Sequence, residues 1–449
     1  VDEFGERHVV SGSTAELGPR RYAVTWAALA SLVVLVGQFA MPLNRIATMF
    51  TTPRKRFTAS GLSRMVHFVA ERFLPIYLEL ANQVANASIL SGDDTSSRVV
   101  EVLRHFANKR EDEAPWAGFS TSEAAERSFE RASELKEERI RRRQDGDRSA
   151  TPQPEENPSL GVLIARVLGF EFPRQNGDGP KEAMHVSVLS GRSVANDPRS
   201  LIVFYRSHLG SCGNLLAKVL AKRDPNNQKL VLQSDMSTTN TVTDPELRAR
   251  FKIKTIGCLS HARRPFAIYK DEDPIYTEYM LHMMLGLYLH EQQLDEFGRN
   301  STNVLAVRRE QSRKLWNKIR DHAEVVAEKW SKQTNLGKGA RYILRHFDAL
   351  TAYLDDAQLA PSNDLSERLL RMEKLIEGSS MFRKTLEGRF ALDIVRTILQ
   401  TAVAAGAKPH EYLISILKTD EKDIARSPGK FTPRAWATAR QTEAPAGEP

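Results

Sequence analysis

Cysteine is nearly absent from this chain: Cys212 and Cys258 are the two among 449 residues. Two thiols cannot build a disulfide framework, and they suit a reducing, cytoplasmic compartment. The first residues are polar and charged, which is not the pattern of a secretory leader. Long uncharged runs are also scarce. The conspicuous one, residues 23–43, approaches the roughly 20 apolar residues that span a bilayer. It is interrupted by Thr25, Ser31, Gly37, Gln38 and Pro42, and nothing else in the chain looks membrane-bound. It is therefore expected to be a buried core helix, with no membrane partner. What is present is a hydrophobic content of 41%, enough for a real core in two or three domains. A net charge of +8 suits an anionic partner such as DNA, although a basic but otherwise ordinary protein would show the same balance.

The pattern along the chain divides it. Residues 1–20 read as a polar tail and 21–87 as a helical region. Within that region a basic turn carries Arg54, Lys55 and Arg56, followed by a cap candidate at Thr58 or Ser60 and an amphipathic helix bearing Arg64. This is either a helix-turn-helix-like unit near DNA phosphates or a helical hairpin with a solvated turn. Residues 88–100 read as a strand with a polar end, and 101–180 as a charge-dense, partly disordered insertion. Within 181–272, strands are expected at 183–189, 200–205, 229–234 and 253–258, with a helix at 213–222. Residues 273–356 read as a large helical insertion, 357–396 as a return to the core, 397–425 as C-terminal helices and 426–449 as a mobile tail. The fold class expected is α/β: a ribonuclease-H-like mixed sheet flanked by helices.

Three acids stand at corresponding places in that order. Asp93 follows the apolar run 88–92, Asp235 follows 230–234, and Glu367 lies in the block 361–371 at the start of a helix. Two-metal phosphoryl transfer needs hard oxygen ligands, and carboxylates suit Mg²⁺ or Mn²⁺. Asp94 is a near-equal alternative to Asp93. Each acid could instead be a solvated carboxylate, and Asp364 reads as a helix cap. Cys258 and His261 have the spacing of a zinc half-site, with His208 and Cys212 as a conceivable second half. The plainer expectation makes Cys258 a core residue and sets His261 near the metals or a substrate phosphate. Arg263 and Arg264 are candidates for DNA phosphates, or for surface ion pairs. Lys338, Arg341 and Arg345 follow one helical run and could line a DNA channel or a solvated face. Trp316 and Trp330 are expected in helix packing.

Five blocks, in order, resemble the insertion-sequence-66 family of bacterial DDE transposases. Residues 90–95 (Leu-Ser-Gly-Asp-Asp-Thr) are similar to the block around that family's first catalytic acid, and 232–235 (Leu-Gln-Ser-Asp) to the second. Residues 257–264 (Gly-Cys-Leu-Ser-His-Ala-Arg-Arg) resemble its Gly-Cys-Trp-Ala-His-Ala-Arg-Arg. Residues 362–371 resemble the block holding the third acid, and 404–413 its closing motif. The resemblance implies Asp93, Asp235 and Glu367 as metal ligands, cleavage and strand transfer at insertion-sequence ends, and a homo-oligomer on DNA with possible accessory proteins. There are departures. Leu259 replaces a Trp, Ser362 and Asp364 alter an Asp-Asn-Asn, and the Glu377-Gly-Ser-Ser segment lacks two basic residues usual there. The family's upstream cysteine-rich zinc segment has no counterpart. A non-catalytic DNA-binding remnant therefore stands as the alternative.

Overall fold

The computed structural model describes residues 18–19, 24–53, 55–99, 184–193, 197–297, 300–380 and 385–443. The expected insertion at 101–180, most of the polar tail and Arg54 lie outside them. Three helices come first: α1 (Trp26–Gly37), α2 (Leu43–Phe50) and α3 (Ala59–Ala85). The uncharged run is α1, and it is a core helix: Leu29, Ala30, Leu32 and Val33 are fully buried. Thr25 caps it by accepting from the Ala28 N–H. Among the described residues, no helix is long and apolar enough to cross a membrane. Of the two cap candidates before α3, Thr58 is the one used; its Oγ1 accepts from the Gly61 N–H at 3.1 Å.

Five strands follow where the apolar runs predict them: β1 (Ile89–Ser97), β2 (Met184–Arg192), β3 (Leu201–His208), β4 (Leu230–Gln233) and β5 (Ile253–Ile256). Their order in the sheet is β3-β2-β1-β4-β5. β1, β2 and β3 form an antiparallel meander, while β4 and β5 run parallel to β1. Side-chain alternation divides the two faces. Leu189, Ile202 and Phe204 enter the main core with α3, whereas Val186, Val188, Val203 and Tyr205 face the opposite way.

Helices α4 (Cys212–Leu220) and α5 (Pro245–Arg250) connect the later strands. Then comes α6 (Leu259–Ile268), and the helical stretch expected at 273–356 follows as α7 (Pro274–Phe297), α8 (Ser301–Val307), α9 (Arg313–Lys329), α10 (Asn335–Arg345) and α11 (Phe347–Thr351). It forms its own core, with Trp316 fully buried. A π-turn at Arg308–Ser312 joins α8 to α9. It turns Arg308 inward, where the guanidinium grips Glu291 at 2.8 and 2.9 Å and donates to the carbonyls of Tyr353, Asp356 and Leu359. One buried cation thereby fixes the chain's return to the sheet.

That return is α12 (Asp364–Ser380), followed by α13 (Leu386–Ala404), α14 (Pro409–Lys418), α15 (Glu421–Arg426) and α16 (Pro433–Glu443). Helix α13 covers the β3 edge. Its Asp393, Thr397 and Thr401 accept from the N–H groups of Ser207, Tyr205 and Val203 at 2.7, 2.9 and 3.2 Å. Four helical residues advance about 6 Å, close to the rise of about 6.8 Å over two strand residues, so a four-residue repeat satisfies every second strand donor. Two expectations change here. The boundary expected at 396 falls inside α13. Part of the tail expected to be mobile is α16, because Trp436 packs edge-on against Tyr412 at 5.4 Å and its Nε1 donates to Ser415 Oγ.

Between α12 and α13 lies an ion network with no exposure. Glu373 pairs with both Arg389 and Arg396, Arg389 also pairs with Asp393, and Arg396 donates to Tyr205 Oη and the Leu369 carbonyl. Glu373→Ala would leave two guanidinium groups buried with too few acceptors. Its expected cost is about 3–5 kcal/mol, measured by chemical denaturation.

Candidate active site

The parallel ladder sets the site. β1 and β4 pair Leu90 with Leu232 and Ser91 with Gln233. The same offset carried two residues further sets Asp93, in the middle of β1, level with Asp235, just past the end of β4. Gly92 precedes Asp93 because a Cβ there would lie 2.8 Å from Leu189 and 2.9 Å from the Cys212 sulfur. Past β4 the chain reverses sharply. Asp235 Oδ1 accepts from the Ser237 N–H at 2.9 Å, and Met236 adopts φ 63°. A left-handed non-glycine residue of this kind is strained, and such strain gathers at functional sites. A 3₁₀ turn, Thr238–Asn240, then brings Asn240 back over the acids. Its Nδ2 donates to Asp93 Oδ1 at 3.2 Å and to Asp235 Oδ2 at 3.1 Å.

The third acid arrives on α12, whose start is bonded to two other motifs. Asn363 Nδ2 donates to the Gly92 carbonyl at 3.2 Å, and its backbone N–H donates to Cys258 Sγ. The Leu259 N–H donates to the Pro361 carbonyl at 2.9 Å. Asp364 is in the first helical turn rather than at the cap, where it accepts from the hydroxyls of Ser260 and Ser362. A carboxylate there is also favoured by the positive end of the helix dipole. Glu367, one turn on, has Oε1 3.3 Å from His261 Nδ1. That nitrogen has no aligned hydrogen bond, so the contact is electrostatic proximity rather than a directed bond.

Asp93, Asp235, Asn240, His261 and Glu367 border one cleft of about 560 Å³, and Arg263, Arg264, Arg371 and Lys374 complete its rim. Burial pushes the Asp93 carboxyl up to about 6, and the neighbouring Asp235 charge adds to this against the Asp94 N–H bond. Asp94 also borders the cleft, but its Oδ2 accepts from the Cys212 N–H at 2.8 Å, at the start of α4. Burial would raise its pKa, yet His185, 3.8 Å away, and that N–H hold it below the ordinary value. The two adjacent acids thus differ in environment, and Asp93 is the one that shares a donor with Asp235.

Other sequence candidates fall differently. Lys55, Arg56, Arg64 and Lys338 do not line this cleft. Arg341 is turned inward: its guanidinium donates to the carbonyls of Ala327, Trp330 and Gly337, so it closes the α9–α10 turn and does not line a channel. No four-ligand zinc set assembles among the described residues. Cys258, His261 and Glu367 come together, but His208 and Cys212 do not join them. Burial pushes the Cys258 thiol up to about 11. His208 instead bonds Ser187 Oγ at 2.7 Å. Sequence reasoning missed Arg371 and Lys374 at the rim, which follow Glu367 at helical spacing, and it missed Asn240. The signal for Asn240 was the polar turn 235–240 immediately after a strand.

The family model described as Transposase IS66 family matches residues 21–145 and 166–390. The chain belongs to that family. All three acids and the cleft-lining segments fall within the matched stretches. The chain is also 23% identical over 163 residues to "Uncharacterized protein y4jD" of Sinorhizobium fredii (strain NBRC 101917 / NGR234), covering 36% of this chain and 31% of the relative. The chain thus aligns with less than a third of that relative's length.

The raised Asp93 pKa has a consequence for stability. Between the ordinary value of 3.8 and about 6 the folded state binds more protons than the unfolded one, so stability falls as pH rises through that window. Above it the full deficit is present. Asp93→Asn should therefore raise the thermal midpoint of the metal-free protein at neutral pH, by a gain on the order of 1–2 kcal/mol after allowance for solvent screening. The gain should vanish near pH 3.8; scanning calorimetry across the window measures it.

Proposed function

We propose that this protein is a DDE transposase that cleaves DNA at insertion-sequence ends and joins the freed 3′-hydroxyl to target DNA. The observation that carries the reading is the cleft in which Asp93 and Asp235 share one amide donor and which Glu367 also lines. The donor set is three hard carboxylates, which fits Mg²⁺ or Mn²⁺. The strand order supports a ribonuclease-H-like core made of residues 88–100, 181–272 and 357–396, with 273–356 as an insertion.

In this reading Asp93 from the middle of β1, Asp235 from just past β4 and Glu367 from α12 would hold the divalent ions. When bound, such a pair supplies Lewis-acid activation of the attacking oxygen and stabilisation of the leaving oxygen. His261, beside Glu367, faces the same cleft as an orienting group near the scissile phosphate. Arg263 and Arg264 from α6, with Arg371 and Lys374 from α12, neutralise backbone phosphates and hold the strand in line. No covalent enzyme intermediate is needed, because positioning and charge stabilisation suffice for phosphoryl transfer. One observation favours a second reading, a non-catalytic DNA-binding remnant. At the segment where the family has basic residues, this chain has Glu377, whose Oε1 accepts from the Arg98 N–H at 2.7 Å.

The test is strand cleavage and transfer on end-containing DNA with Mg²⁺ or Mn²⁺. Asp93→Ala, Asp235→Ala and Glu367→Ala should each lower the rate by on the order of a thousandfold or more, while DNA binding persists. Variants as active as wild type would refute the assignment; a wild type that binds DNA and never cuts it would support the remnant. Arg263→Ala with Arg264→Ala should weaken binding and flatten its salt dependence, the log–log slope falling by about 1 for each phosphate no longer neutralised.

A further inference from the structure

We infer that Asn240 is a positioning residue for the metal site, an amide clamp that sets the spacing of Asp93 and Asp235 before any ion arrives. The inference rests on the metal reading above. Two ionised carboxylates on adjacent segments of the sheet repel, and nothing in the parallel ladder itself prevents their side chains from rotating apart. One nitrogen donating to Asp93 Oδ1 and Asp235 Oδ2 counters that repulsion and fixes which oxygens face each other.

The chain builds this clamp locally. Asp235 Oδ1 folds the backbone onto Ser237, Ser237 Oγ accepts from the Thr239 N–H, and the Asn240 N–H closes on the Ser237 carbonyl. Gly213 lets α4 pack against this turn, since a Cβ there would strike the Thr241 carbonyl oxygen. Asn240 is left 6% exposed, with its Oδ1 buried and without a hydrogen-bond partner. The opposite amide orientation would set Oδ1 against two carboxylate oxygens, so electrostatics select the donor-inward form. A buried amide with an unsatisfied acceptor is costly, and the two charge-assisted bonds on its other side offset that cost.

A residue serving only to fold the turn would change stability and leave ion affinity alone. A residue that presets ligand geometry changes affinity in the folded protein, typically by about 10–100-fold. Mn²⁺ binding to the full chain, followed by electron paramagnetic resonance at neutral pH without DNA, reads this directly. Circular dichroism reports whether each variant is folded. Asn240→Ala should weaken Mn²⁺ binding by about 10–100-fold. Asn240→Ser, which keeps one short donor, should fall between Ala and wild type, and it decides the question should the Ala variant fail to fold. Folded variants that bind Mn²⁺ as wild type does would overturn the clamp while leaving the metal site standing. A wild type that binds no Mn²⁺ at the acids would overturn both.

Discussion

The charges buried between α12 and α13 are the constraint on which the site depends. Glu367 reaches the cleft from α12, and α12 is held to α13 by Glu373 with Arg389 and Arg396. α13 is in turn held to β3 by side-chain acceptors at the sheet edge. Burying ions gives little net stability against a well-packed apolar alternative, but breaking a buried set is expensive, so partners are strictly specified. The network thereby fixes the rotation and height of α12 over the sheet. The covered edge also removes a template for strand addition by another chain.

The cleft shows the opposite balance. Asp93 and Asp235 are brought together against their own repulsion, Met236 is held in a left-handed conformation, and Asn240 keeps an acceptor unsatisfied. These are local costs of the kind that persist only where surrounding structure overdetermines them. Here the supports can be named. Tyr342 donates to the Asp235 carbonyl from α10, Asn363 donates to the Gly92 carbonyl from the start of α12, and α4 receives Asp94. The 273–356 stretch is therefore coupled to the acids through Tyr342 and, by way of Arg308, to the path of the chain into α12. The site is where the parts of the chain meet, and each part contributes one polar contact to it.

Much of this was legible in the residues. Apolar runs located all five strands, and the pair Thr58 and Ser60 marked the start of α3, with the structure choosing Thr58. The three candidate acids, picked out by blocks in an order that resembles the transposase family, border one cleft. Asn240 was not legible, because a polar residue in a turn gives no sign of where the turn folds back. Arg341 misled for a related reason: a basic helical stripe does not tell which guanidinium finds carbonyls to cap. Asp93 could not be separated from Asp94 either, since only the folded chain gives Asp93 the Asn240 donor and Asp94 the N–H at the start of α4.

The sequence alone thus determined most of the elements and the basic charge, because those follow from local periodicity and residue chemistry. Tertiary structure decided the β3-β2-β1-β4-β5 order, the shared Asp93–Asn240–Asp235 contact and the inward turn of Arg341. Those depend on which distant segments meet, and meeting is set by sheet register, by helix packing and by where buried polar groups find partners. Periodicity within a segment encodes which face is apolar, but not which other segment will cover it.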